Sequence, residues 1–209
     1  MSLWQKINKM NVAIIQYNAG NVQSVRYALQ RLGIDPILTD NHEQIRNADK
    51  VILPGVGNAT SAMEYLKERE LDSLIKSLTQ PVLGICLGLQ LLCEHSEEGN
   101  TSCLGIFNTQ VKLFHNNNNF DDTALMKVPQ VGWNNIYDRT TALFKDVIDP
   151  YVYYVHSYYA EISGNTIAKT NYTLPYSAAL QKDNFYAAQF HPEKSGITGQ
   201  QILSNFLSV

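Results

Sequence analysis

Alternation narrows the folds open to this chain more than any single motif does. Val12 to Tyr17 (Val-Ala-Ile-Ile-Gln-Tyr) is a nearly unbroken apolar run, the pattern of a strand buried on both faces. Asn18 to Asn21 reads as a turn. Val22, Val25, Leu29 and Leu32 then recur at helical spacing, and Gly33 supplies a stop. Ile37-Leu38 is a second short strand after Pro36, Glu43 to Ala48 a short helix, and Val51 to Leu53 a third strand. Ala62 to Leu78 follows as a helix broken near Glu70, before a fourth apolar run that begins at Pro81. Strands separated by helices call for crossover connections, hence a mostly parallel central sheet flanked by helices.

The pattern changes after His95. Ser96 to Ser102 is a polar loop, and from Leu104 onward the signals are strand-like. Strands are expected over Phe107 to Phe114, Ala124 to Tyr137, Tyr151 to Ile162, Thr166 to Lys169, Ala178 to Gln181 and Phe185 to Phe190. Asn116 to Asn119 reads as an exposed loop tip, and Gly199 to Leu207 as a closing helix. The expectation is an α/β protein with antiparallel strands in its second half. Residues 10–209 would form a single domain, and residues 1–9 an N-terminal extension or an appended remnant, since Met10 directly precedes the first strand.

Bulk properties remove several classes of function. A length of 209 residues suits one domain of ordinary size, and a net charge of −3 gives no reason to expect nucleic acid or an anionic membrane as partner. No apolar run approaches the roughly 20 residues that span a bilayer. The three cysteines, Cys86, Cys93 and Cys103, are odd in number and lack Cys-x-x-Cys spacing. That argues against a disulfide framework or a zinc site and suits a reducing cytoplasm.

The stretch Pro81 to Leu92 carries the first candidate chemistry. An apolar run reaches Gly84, then Cys86, then Gly88, and passes into Leu89, Leu91 and Leu92. This reads as a strand that turns abruptly into a helix with a cysteine on the turn, glycines on either side letting the backbone bend without Cβ clashes. There the helix dipole and free N–H groups favour the thiolate. A small core cysteine between packing glycines is an equal reading of this stretch alone. His191-Pro192-Glu193 shifts the balance. Residues two apart in extended backbone face the same side, and the proline keeps His191 out of helical conformation. A carboxylate can then orient an imidazole, the base half of a triad. Pro54-Gly55-Val56-Gly57, after the third strand, lies at the carboxyl edge of a parallel sheet and can present N–H groups to an oxyanion.

Gly84-Ile-Cys86-Leu-Gly88-Leu-Gln90, Pro54-Gly-Val-Gly57 and His191-Pro-Glu193-Lys194-Ser195 together resemble class I (triad) glutamine amidotransferases, in the family's order and over nearly the whole chain from about Asn11. The resemblance implies a flavodoxin-like core and no cofactor. It implies that Cys86 attacks glutamine, that His191 moves the protons, and that Glu193 orients His191. Gly55, Val56, Gly57 and the N–H of Leu87 would serve the oxyanion. Gln90, His156, Ser157 and Tyr158 would hold L-glutamine. Tyr17-Asn-Ala-Gly-Asn21, Pro54-Gly-Val-Gly57, Gly132-Trp133-Asn134 and Val155-His156-Ser157-Tyr158 further resemble the family's histidine-pathway branch. That implies a separate (β/α)8-barrel cyclase subunit as heterodimer partner, with Trp133, Asn134, Tyr17 and Lys194 as interface candidates. Gln16, Asn18 and Gln130-Val131 depart from the commoner residues of that branch, all outside the triad.

Other readings stay open at this point. The chain could serve another amidotransferase pathway, could act alone as a cysteine hydrolase on γ-glutamyl bonds, or could keep the fold as a binding subunit without activity. His42, His95 and His115 lie in polar stretches without metal-ligand spacing, so no metal is expected. Cys93 reads as core, and Cys103 as the start of a strand.

Overall fold

Runs of apolar residues too short for helices form the strands, and asparagine caps start two of the helices between them. The computed structural model describes residues 10–17, 22–115 and 127–209. The N-terminal extension, the turn at Asn18 to Asn21, the loop tip at Asn116 to Asn119 and the start of the strand expected from Ala124 lie outside the described residues. β1 (Val12–Ile15) leads to α1 (Val22–Arg31), which ends at Gly33 with φ 82°. β2 (Ile37–Thr39) leads to α2 (His42–Arg46), capped by Asn41, whose side chain accepts from the Gln44 N–H. β3 (Lys50–Leu53) is followed by α3 (Ala59–Glu68). The Asn58 side chain accepts from the N–H groups of Thr60 and Ser61, which starts α3 three residues ahead of the expected position. The expected break falls at Glu70, in left-handed backbone, and α4 (Leu71–Ser77) follows. β4 (Val82–Ile85) then enters α5 (Leu87–Leu92) through Cys86.

The second half is more finely divided than its apolar runs suggest. The segment expected to be a loop contains two short strands, β5 (His95–Ser96) and β6 (Thr101–Ser102), around a 3-10 turn. Cys103 follows β6 instead of opening a strand. In the run from Phe107 only β7 (Gln110–Leu113) is regular; Phe107 is buried in irregular backbone. β8 (Gln130–Asn135) is shorter than expected. The single strand expected over Tyr151 to Ile162 is two, β9 (Tyr151–His156) and β10 (Tyr158–Ala160), in different sheets. β11 (Thr166–Asn171), β12 (Pro175–Lys182), β13 (Phe185–Ala188) and α6 (Gly196–Ser208) complete the order.

The main sheet has seven strands in the order β11-β12-β13-β4-β3-β1-β2. From β13 through β2 every neighbour is parallel, while β11, β12 and β13 pair antiparallel. The parallel part runs 2-1-3-4 and then β13, the flavodoxin-like order. Alternate residues of β1 feed opposite faces. Val12 and Ile14 pack with Val25, Leu29, Leu203 and Phe206, whereas Ala13 and Ile15 pack with Ile45, Met63, Leu66 and Leu74. Burying each such aliphatic side chain contributes about 1.5–3 kcal/mol, so both faces hold the sheet rigidly. β5, β6, β7 and β10 form a four-stranded sheet, and β8 pairs with β9. The loops after β1, β3, β4 and β13 all leave the carboxyl edge of the parallel strands, where ligands bind in open α/β sheets.

Candidate active site

The turn between β4 and α5 is strained at Cys86 itself, with φ 54° and ψ −106°. The glycines beside it have no positive φ; they are needed for space. A Cβ at Gly88 would lie 2.0 Å from the Leu53 carbonyl oxygen, and one at Gly84 2.8 Å from the Gly88 backbone. So α5 can press against β3 and β4 only through bare backbone, and the bend is left to Cys86. Its N–H donates to the Ala188 carbonyl (2.8 Å), and its carbonyl accepts from the Gln90 N–H (3.3 Å). The sulfur lies 3.8 Å from the Val155 carbonyl oxygen and 3.7 Å from Gln189 Nε2.

His191 and Glu193 do meet, through a turn and not through strand alternation. His191 is extended (φ −99°, ψ 95°), and Pro192–Lys194 then forms a 3-10 turn that brings the carboxylate back. His191 Nδ1 donates to Glu193 Oε1 at 2.8 Å, both side chains being almost wholly buried. That bond leaves Nε2 as the nitrogen available to Cys86, and Nε2 has no nitrogen or oxygen partner among the described residues. Burial alone would lower the His191 pKa. Hydrogen bonding to Cys86 and Glu193, with their charges, overcomes it and pushes the pKa up to about 10. Ser195 anchors the turn: its hydroxyl donates to the His191 carbonyl (2.7 Å) and accepts from the Tyr153 N–H (2.9 Å).

A cavity of about 310 Å³ opens beside the sulfur. Val56, Gly57, Leu87 and Gln90 line it on the elbow side, and Pro129, Val155, His156, Ser157 and Tyr158 on the other. The break between β9 and β10 explains the second wall, because it sets the His156-Ser157-Tyr158 corner at the cavity mouth. His156 differs from expectation. Its Nδ1 donates to the Tyr158 carbonyl (2.7 Å) and its Nε2 meets the Tyr176 hydroxyl (3.1 Å), so both nitrogens are already engaged. Desolvation by burial, aided by the His191 charge and against the Tyr158 bond, lowers its pKa to about 3. His156 is therefore a neutral strut of the wall. Gln90 is also braced, its Nε2 donating to the Tyr158 carbonyl (2.9 Å) and to Gln189 Oε1 (3.3 Å). Glu98 supplies a carboxylate to the cavity, which sequence reasoning missed. Its position in a polar, glycine-containing segment gave no periodic signal. One of its oxygens accepts from the Ala59 N–H at 2.7 Å.

The loop Pro54 to Gly57 lies against the elbow as expected, but the donors do not yet converge. The Leu87 N–H donates to the Gly55 carbonyl (3.4 Å). The free N–H groups at the start of α5 attract that oxygen, so the Leu87 N–H points at Gly55 in this arrangement. Tyr17, expected at an interface, is buried beneath the same loop, and its hydroxyl donates to the Pro54 carbonyl. Trp133 is 56% exposed, with its ring 6.0 Å from that of Tyr153. Asn134 donates to the Asn171 carbonyl (2.8 Å), and Lys194 is exposed on the turn beside Glu193. The other two cysteines are poor nucleophiles. Burial pushes the Cys93 thiol well up and that of Cys103 to about 11.

A sulfur on a strained turn, an imidazole oriented by a carboxylate and a small, mostly apolar cavity together suit acyl transfer to sulfur. Comparisons with known proteins point the same way. The model of the glutamine amidotransferase class-I family matches residues 13–209. Imidazole glycerol phosphate synthase subunit HisH of Bacteroides fragilis (strain YCH46) is 55% identical over 201 residues, covering 96% of this chain and all of that protein. The HisH subunit of Pectobacterium atrosepticum is 47% identical over 203 residues, again covering 96% of this chain and 100% of the relative. In fold the chain is similar to PurLQS from Thermotoga maritima, with a TM-score of 0.68 at 16% identity over 96% of this chain and 98% of that one.

Proposed function

The chain belongs to the class-I glutamine amidotransferases, and from that premise we propose that it is the glutaminase subunit of an imidazole glycerol phosphate synthase, residues 10–209 acting as one domain. The observation that carries this reading is the Cys86–His191–Glu193 arrangement beside a cavity large enough to hold one amino acid. Close relatives along nearly the whole chain support the pathway.

In the proposed reaction His191 Nε2 holds the thiol proton, and the Cys86 sulfur attacks the side-chain amide carbon of glutamine. A carbon–sulfur bond forms and the carbonyl oxygen takes up the negative charge. His191 then gives its proton to the departing nitrogen, ammonia leaves, and a γ-glutamyl thioester remains. Water, deprotonated by His191, adds to the thioester, glutamate leaves, and the thiol is restored. Glu193 holds His191 in the tautomer that keeps Nε2 towards sulfur. Gln90, Ser157 and Tyr158 contact the bound glutamine, and the Glu98 carboxylate suits its α-ammonium group. For Leu87 to stabilise the oxyanion, the Gly55 carbonyl has to turn away and release the Leu87 N–H.

Ammonia passes to a separate (β/α)8-barrel cyclase, which makes imidazole glycerol phosphate and an aminoimidazole carboxamide ribotide for histidine biosynthesis. The barrel docks on the face carrying exposed Trp133, with Asn134 and Lys194 at its margin.

Replacing Cys86 with Ala tests the reading. Glutamine-dependent synthesis by the complex should vanish, while added ammonium salt still supports the barrel reaction. Retained glutaminase activity in C86A would remove Cys86 as nucleophile. Failure to co-purify with the barrel, or vigorous glutamine turnover unaffected by it, would favour a stand-alone hydrolase.

A further inference from the structure

Gln189 is fully buried one residue beyond β13, and the mechanism above leaves it without a task. β13 runs parallel to β4 with Ala188 opposite Ile85, so the next residues of the two strands are Gln189 and Cys86. The Gln189 N–H still pairs with the Ala178 carbonyl of β12 (2.8 Å), which fixes its backbone. From there its side chain reaches the elbow, Nε2 lying 3.7 Å from Cys86 Sγ. That is hydrogen-bond range for the larger sulfur atom.

The orientation of this amide follows from what its neighbours can do. The Tyr158 carbonyl can only accept, so the Gln90 atom 2.9 Å from it is the nitrogen. That same nitrogen lies 3.3 Å from Gln189, so Gln189 must turn its oxygen to Gln90. Its own N–H group is thereby directed at the sulfur. Reversing Gln189 would set two donors against each other; reversing both amides would set two acceptors against each other at Tyr158. A backbone carbonyl thus aims a donor at the nucleophile through two buried amides.

A buried amide donor facing a neutral thiol makes only a weak bond, and under-satisfied buried donors are costly. A thiolate in the same place accepts a charge-assisted bond. We propose that Gln189 is a thiolate-holding donor, aimed by Tyr158 through Gln90, that shares the charged sulfur with His191. The inference rests on Cys86 being the nucleophile, and its test reads the sulfur directly and not turnover.

The full chain is alkylated with iodoacetamide across a pH series, and modification of Cys86 is followed by peptide mass spectrometry, which separates it from Cys93 and Cys103. Titratable groups around the sulfur are His191 and Glu193 on the turn after β13, Tyr17 after β1, Tyr176 on β12, His156 on β9 and Glu98 across the cavity. None of them is altered in Gln189→Met, which keeps length and volume but has no donor. Its midpoint should move up by about one pH unit, with alkylation about tenfold slower below the midpoint. In the complex, kcat should fall about tenfold with KM unchanged. Gln189→Glu keeps the acceptor for Gln90 and puts a negative charge beside sulfur, so its midpoint should move further. Profiles that superimpose on the wild type in these variants would overturn the proposal, as would a rise confined to KM, which would mean Gln189 acts only through Gln90. A measurement on the unaltered chain guards against misfolded variants: the side-chain ¹⁵N–H signals of Gln189 should shift with the same midpoint as Cys86 alkylation. Signals that stay fixed through that range would equally overturn it. An active C86A enzyme would sink the glutaminase reading instead, a distinguishable outcome.

Discussion

His191 and His156 are both buried beside Cys86, yet their protonation is driven in opposite directions. His191 gains two partners that favour its charge, whereas His156 spends both nitrogens on neutral partners and stays uncharged. The His156 pKa of about 3 in the folded chain lies below the ordinary histidine value near 6.5. Between these values the unfolded chain binds the extra proton and the folded chain does not, so stability rises with pH across that window and is lost as pH falls through it. Denaturant titrations at intervals from pH 7 to pH 4 should show His156 contributing a slope approaching 1.4 kcal/mol per unit. In His156→Gln that contribution should be absent, so a variant whose stability falls with acid as steeply as the wild type would contradict the burial argument. His191 has the opposite sign: its contribution is complete below about pH 6.5 and fades as pH rises through about 10. The difference in stability between wild type and His191→Gln should therefore shrink in alkaline buffer, and a constant difference would show that its charge does not matter to the fold.

Among the elements, α5 depends most on its neighbours. It is six residues long and lies against β3 and β4 through Gly84 and Gly88. In Gly88→Ala the new methyl would meet the Leu53 carbonyl oxygen at 2.0 Å, and backbone cannot yield as a side-chain tip can. We expect a loss of about 3 kcal/mol by chemical denaturation, together with weaker activity because the elbow is displaced. A variant within 0.5 kcal/mol of wild type would mean that α5 slides freely on β3. The same elements mark how far a sequence can be read. β1, β3, β4 and the elbow were legible because their signals are local: apolar runs of strand length and glycines two residues from a cysteine. The His191–Glu193 pair was legible for the same reason, though the turn that joins them was not. What stayed hidden depends on distant partners. The occupied Leu87 N–H needs Gly55, the engaged His156 needs Tyr176, and the role of Gln189 needs Gln90 and Tyr158. Tyr17 looked available for a partner because nothing local shows that Pro54 covers it.

At the scale of the whole molecule, apolar side chains among the described residues remain exposed on β8, β9 and the start of α6. Trp133 is 56% exposed, Val131 59%, Tyr151 51% and Ile197 88%, which is much when the other large apolar residues among those described are mostly buried. The ring of Trp133 lies near Gly196, at the start of α6, so the turn carrying His191 and Glu193 is close to this surface. Trp133→Ala should leave stability within about 0.5 kcal/mol and weaken binding to the proposed barrel subunit by about 30-fold, the effect of losing a roughly 2 kcal/mol contact. Calorimetric titration checks this, and unchanged affinity would move the docking face elsewhere.

The adjacency of β13 and β4 has a further consequence, in time. Cys86 and Gln189 are separated by 103 residues of chain, and His191 lies beyond Gln189. During translation the cysteine is made long before β13 and the turn after it that holds His191, and β13 is the last of the described strands in chain order. Until that strand slots in beside β4, the sulfur has neither imidazole nor amide beside it. On the proposed mechanism, glutamine cleavage therefore has to wait until the sheet is completed.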